Sequence, residues 1–207
     1  AIMFKLNKKE AEDYLIKIFD FIENGDSKFK GHPGLYFFHT KTELKEKINE
    51  LLSENEYYEF DLYYITSLLI KFMLGRYDSH TKVSFKDNVY IPIDFRVEDN
   101  SLYITKITPI YKKLIGGKLL KINNIDIQRI LCELEEIICY STKEHLLVMI
   151  QSFLSDVNVL KSLPSIENNT KEFIYTILND NNEKENITFN INNLPEFYSV
   201  HFPENYS

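Results

Sequence analysis

The stretch Tyr90-Ile91-Pro92-Ile93-Asp94-Phe95-Arg96-Val97 decides the fold class. Ile91, Ile93, Phe95 and Val97 alternate with Pro92, Asp94 and Arg96. A two-residue period describes a strand with one dry face and one wet face. Proline has no amide hydrogen to give a ladder, so Pro92 puts this strand at a sheet edge. Asp99-Asn100-Ser101 then reads as a turn and residues 102–107 as the return strand. Upstream of this point the apolar residues recur at helical spacing instead, so the chain is expected to be α+β.

The upstream helices carry their own start and stop signals. Asn7 and Glu10 form a capping box, followed by Ala11, Tyr14, Leu15, Ile18, Phe21 and Ile22 at helical spacing. Asn24-Gly25-Asp26 ends that helix, and Lys30-Gly31-His32-Pro33-Gly34 is a loop. Thr40 and Glu43 make a second capping box ahead of Leu44, Ile48, Leu51 and Leu52. A third helix, residues 56–74, is apolar nearly all round, which requires burial among neighbours; Gly75 stops it.

Downstream, Ile115-Gly116-Gly117-Lys118-Leu119-Leu120-Lys121-Ile122-Asn123-Asn124-Ile125 holds a glycine pair, a short strand and an Asn-Asn turn. Residues 127–138 return to helical spacing, with Ile127, Ile130, Leu131, Leu134, Ile137 and Ile138 on one side. Ser141 and Glu144 open another helix, with Leu146, Leu147, Ile150, Phe153 and Leu154 inward, and Pro164 ends that region. Residues 173–178 and 187–191 form a hairpin around Asn179-Asp180-Asn181-Asn182. Residues 194–207, with two prolines and no clear period, read as a linker. The expected division is a helical region over 1–82, a β domain with inserted helices over 83–193, and a linker over 194–207.

Composition removes several classes of function. The chain has 207 residues, 44% of them hydrophobic and 14% aromatic, enough for a real core. Its net charge of −7 argues against nonspecific nucleic-acid binding, which depends on basic surface to offset phosphate charge. The most apolar stretch, residues 60–74, is too short for a membrane span and contains Asp61 and Lys71. Residues 1–4 form no apolar signal core before Lys8, Lys9 and Glu10, which leaves the compartment open and tilts it to the cytoplasm. Cys132 and Cys139 lie two turns apart on one helix, a rise of about 10 Å that no disulfide spans; as a pair they are too few for a zinc site and read as small core residues. No metal or cofactor is expected.

Three stretches together resemble the N-terminal portion of the tail-specific, or C-terminal-processing, serine peptidases, with the likeness leaning to the tricorn-core branch. Leu74-Gly75-Arg76-Tyr77-Asp78-Ser79-His80-Thr81 is similar to the family's Gly-Asp-x-His-Thr segment, with Tyr77 in place of a small residue. Tyr90-Ile91-Pro92-Ile93 is similar to its Leu-Pro strand. Gly116 to Ile125 is similar to the Gly-Asp-x-Ile-x-x-Ile-Asn-Gly-x-x-Val signature of a PDZ-like domain, with Gly117-Lys118 for Gly-Asp and Asn124 for the turn glycine. The likeness runs from about residue 13 to residue 191. It implies a helical bundle followed by a small PDZ-like domain, with the nucleophile on a C-terminal catalytic domain absent from these 207 residues.

The resemblance assigns roles residue by residue. His80 would be the general base that takes a proton from the nucleophilic serine, a task suited to a free imidazole pKa of about 6.5. Ser79 would orient a group or a water beside it. The competing reading of His80 is a histidine at an exposed helix end. Asp78 is a poor orienting partner, because adjacent side chains seldom point the same way. Gly116, Gly117, Lys118 and Leu119 would hold a peptide terminus on backbone amides; the competing reading is a tight turn that needs positive φ. His32 and His39 have no metal-ligand spacing, and His145 and His201 read as solvated. Two functions follow. One is the portion of a peptidase that binds a peptide or protein substrate and contributes the base; the other is a catalytically inactive PDZ-like module that binds a peptide or other ligand.

Overall fold

The structure, a computed structural model, describes residues 5–28, 30–75 and 88–195. Helices and antiparallel sheets alternate along the chain, so it is α+β. It divides into two compact units, Ala1–Phe85 with Glu136–Ser141 and Lys86–Glu135 with Thr142–Ser207.

In the first unit, β1 (Lys5–Asn7) pairs antiparallel with β2 (Glu56–Tyr58). Helix α1 (Lys8–Asn24) starts at the Asn7–Glu10 capping box and ends at Gly25 with φ +69°. Its buried residues are Ala11, Leu15, Phe19 and Ile22. Tyr14 and Phe21, expected inward, are 39% and 48% exposed. Phe19 takes the inward place, which turns the stripe away from them. Helix α2 (Lys41–Leu51) is capped by Thr40 and Glu43 and buries Leu44 and Ile48. Helix α3 (Glu59–Leu74) begins three residues later than its apolar pattern suggests, because residues 56–58 are held in β2. It ends at Gly75, φ +83°. Leu15, Phe19, Leu44, Ile48, Leu69 and Met73 share one core, and each large apolar side chain sealed there contributes about 1.5–3 kcal/mol.

Residues 136–141 complete this unit. The Tyr64 hydroxyl donates to Glu136 Oε2 at 2.9 Å, and Lys71 Nζ donates to the Ile138 carbonyl at 3.0 Å. The same ammonium lies 5.3 Å from the centre of the Tyr140 ring. Gly31 is required by close approach: a Cβ there would stand 1.9 Å from the Glu23 carbonyl oxygen.

The second unit is built on an antiparallel sheet. Its main path runs β3 (Ile93–Glu98), β4 (Ser101–Ile107), β5 (Lys118–Ile122), β7 (Glu172–Leu178), β8 (Lys184–Asn190), and the two-residue β6 (Ile125–Asp126) pairs with β5. Pro92 sits just before β3, an edge strand, as expected from the missing amide. Asp99 and Asn100 take φ +49° and +61°, and Asn123 and Asn124 take +50° and +63°. Two successive left-handed residues match the right-handed twist of the strands they join.

Helices α4 (Ile127–Ile137), α5 (Lys143–Ile150) and α6 (Val157–Ser162) follow. Helix α5 is capped by Thr142, whose hydroxyl accepts from the His145 amide at 3.1 Å, and not by the expected Ser141. On the inner face, Phe95 stacks on Tyr175 at 5.8 Å, and Tyr175 meets Phe189 edge-on at 6.0 Å. The Tyr175 hydroxyl donates to the Leu154 carbonyl at 2.7 Å, and burial pushes its pKa up. Cys132 is exposed, contrary to its reading as a core residue; Cys139 is half-buried, with its thiol 3.5 Å from the Gly75 carbonyl oxygen.

Candidate functional site

Asp78, Ser79 and His80 lie outside the described residues. The glycine turn before β5 is described in full. Gly116 takes φ +89° with open space where a Cβ would be, while a Cβ on Gly117 would stand 2.4 Å from Ile177 Cγ2. The Gly116 amide donates to the Ile104 carbonyl at 2.8 Å, and the Gly117 amide donates to the Leu114 carbonyl at 2.9 Å. Leu119 is 1% exposed. A turn that captures a carboxylate needs amides free to donate, and these two are already used within the chain. The side chain of Lys118 is half-exposed.

A polar groove of about 790 Å³ opens on the outer face of the same sheet. Ile174 and Thr176 of β7 line it, together with the Asn123-Asn124 turn, Lys171 and the β8 residues Asn186 and Asn190. Asn123 is committed to structure: its Oδ1 accepts from the Ile174 amide at 2.7 Å and its Nδ2 donates to the Glu172 carbonyl at 3.3 Å. Asn186 Oδ1 accepts from the Thr176 hydroxyl at 2.8 Å. Nothing in the sequence singled out this groove, because its asparagines come from three separate segments: the Asn123-Asn124 turn, Asn169 and strand β8.

Two buried acids also escaped the sequence reading. Glu133, on α4, is 6% exposed. Its carboxylate accepts from the Ser165 amide at 2.8 Å and from the Ser165 hydroxyl, and pairs with Arg129 Nε at 3.1 Å. Asp156 is 5% exposed and caps α6, accepting from the amides of Asn158 and Val159. Burial raises its pKa, opposed by those two hydrogen bonds. Glu133 ties the Ser165 loop to the middle of α4, and Asp156 holds the start of α6.

In the first unit, His39 stacks on Phe72 with ring centres 3.8 Å apart, and its Nδ1 lies 3.0 Å from Glu43 Oε2. The hydrogen bond from His39 is the largest cause holding the Glu43 carboxyl below its usual range. His32 Nδ1 accepts from the Gly34 amide at 3.1 Å inside its loop. Among the described residues no group of three or more His, Cys, Asp or Glu side chains could hold a metal. No described helix is long and apolar enough to cross a membrane.

No family model and no curated protein matches this sequence. Solved structures do. Mature CPAF matches with a TM-score of 0.58 and 13% identity, as does mature CPAF complexed with lactacystin, and a point mutant of CPAF matches at 0.57 and 12%. In each case 88% of this chain is covered. The chain has the fold of one part of CPAF. It spans 34% of the length of those chains. CPAF is a chlamydial serine protease similar to the tail-specific proteases; the tricorn-core branch expected from the sequence finds no support among these neighbours. Three short motifs, each with a substitution or only a few residues long, cannot separate branches.

Proposed function

We propose that this chain is the non-nucleophile portion of a serine peptidase that hydrolyses peptide bonds. The supporting observation is a fold shared with part of CPAF over 88% of the chain, alongside three motif segments in the order the tail-specific peptidases use. In this reading residues 1–82 are the helical region, 83–193 are a PDZ-like domain, and the nucleophile belongs to polypeptide other than these 207 residues. His80 is the general base. Its imidazole takes the proton from the serine hydroxyl as the oxygen attacks the scissile carbonyl, then returns it to the leaving amine. Ser79 orients a group beside that imidazole. Of Gly116, Gly117, Lys118 and Leu119, the proposal keeps only the Lys118 ammonium as a contact for a peptide carboxylate.

The test is a fluorogenic peptidase assay on the full product of the gene, with His80→Ala beside the wild type. Loss of a general base lowers kcat by about a hundredfold or more, with KM little changed. The isolated 207-residue chain is expected to be inactive in the same assay. Unchanged turnover in the His80→Ala protein removes that residue from the mechanism.

A further inference from the structure

The two edges of the large sheet are not alike. Strand β3 is guarded: its pairing with β4 is broken by a bulge between Asp94 and Phe95, and the Val97 amide donates to Gln151 Oε1 at 2.7 Å. Strand β8 has neither device. It pairs with β7 over seven residues without a register shift and contains no proline. The Ile191 amide donates to the Lys171 carbonyl, and the Asn179 amide to the Glu183 carbonyl. In an antiparallel ladder the hydrogen-bonded positions alternate. The odd-numbered residues of β8 therefore bond to β7, and the backbone groups of Lys184, Asn186, Thr188 and Asn190 point away from it. No described strand takes these groups up; among the described residues only the Asn190 carbonyl is used, by the Asn193 amide at 3.0 Å.

We propose that β8 is a docking edge for an extended peptide segment of another polypeptide, which adds to the sheet as a further antiparallel or parallel strand. The free groups recur every second residue, about 6.6 Å apart, which is the repeat of an extended chain. Side-chain chemistry narrows the partner. On the outer face the edge shows Asn186, Thr188 and Asn190, all exposed and uncharged, and Lys184, which has no ion pair among the described residues. On the inner face Phe189 packs edge-on against Tyr111 at 6.0 Å, and the neighbouring Ile110 is 76% exposed. The fitting partner alternates apolar residues with uncharged polar ones and carries an acidic residue toward the Lys184 end. A second copy of β8 fits less well: twofold pairing centred on Ile187 would place Lys184 opposite Asn190, whose carbonyl is already taken. The inference rests on the edge alone and needs no catalytic role for His80.

The probe is a synthetic Thr-Val alternating peptide with one aspartate, added to the 207-residue chain and followed by amide hydrogen exchange. Exchange at Lys184, Asn186, Thr188 and Asn190 is expected to slow at least tenfold. N-methylating every second residue of the peptide in one phase abolishes the effect, and the other phase leaves it. Thr188→Pro removes an outward amide and leaves the β7 ladder intact, so it is expected to fold and lose binding. If it fails to fold, the N-methylated peptides on the wild type still decide. Protection at β3 alone, no protection, equal binding by both N-methylated phases, or a peptide-independent dimer that already protects β8 would each overturn the proposal. A failed His80→Ala assay would not.

Discussion

Gly117 and Glu133 show how much single side chains decide here. Adding a methyl at Gly117 drives it to 2.4 Å from Ile177 and 2.9 Å from the Leu114 carbonyl oxygen. Gly117→Ala is expected to cost about 1–3 kcal/mol, the usual range for overpacking, read as a lower urea midpoint with an unchanged slope. Gly116→Ala meets no neighbour but strains a φ of +89°, so it should cost less. Glu133→Ala orphans the half-buried Ser165 amide and hydroxyl, while Arg129 is exposed enough to recover water. The expected loss is about 1–3 kcal/mol. Arg129→Ala should cost a few tenths, since it removes only an exposed partner; the same urea titration compares the two.

At the scale of elements, capped helix starts and hairpin turns were legible because their signals are local. Asn7–Glu10, Thr40–Glu43, Gly25, Gly75 and the Asp99-Asn100 turn could all be read within four residues of sequence. The β1–β2 pair was not, since three-residue strands have no period and partners lie some fifty residues apart. Strand β8 begins at Lys184, not Ile187, because pairing with β7 overrides the weak strand preference of Lys-Glu-Asn. Helix α6 was not separated from the helix before it, because the apolar pattern runs on toward Pro164 and the Asp156 cap sits within it. That cap has a pH signature. Burial raises the folded-state pKa of Asp156 above its unfolded value. The resulting stability is present in full below the unfolded value and is lost as pH rises through the folded one. Asp156→Asn keeps a capping oxygen without the charge. Its stability relative to the wild type is therefore expected to rise with pH across that window, as followed by thermal melts at several pH values. Tyr175→Phe, which leaves the Leu154 carbonyl unpaired, should lower stability by about 1–2 kcal/mol at every one of them.

At the scale of the whole molecule, the catalytic assignment was legible only through a likeness of short motifs, and its residues 78–80 lie outside the described residues. The polar groove and the open β8 edge were illegible for a different reason: they are made by the sheet, from segments that carry no motif. Charge is the one global property the sequence states outright. With a net charge of −7 the chain should show no retardation of duplex DNA in a gel-shift assay at physiological salt.

The left-handed turns carry a last consequence. With only 6 glycines in the chain, the hairpins are bent with Asp99, Asn100, Asn123, Asn124 and Asn182 instead. Each L-residue there sits in a conformation that only glycine enters freely. The protein thus holds an untapped margin for engineering. Asn100→Gly and Asn124→Gly would rebuild these two-residue loops as Asp-Gly and Asn-Gly, the pairings such bends prefer, and should make a hardier molecule without touching its core.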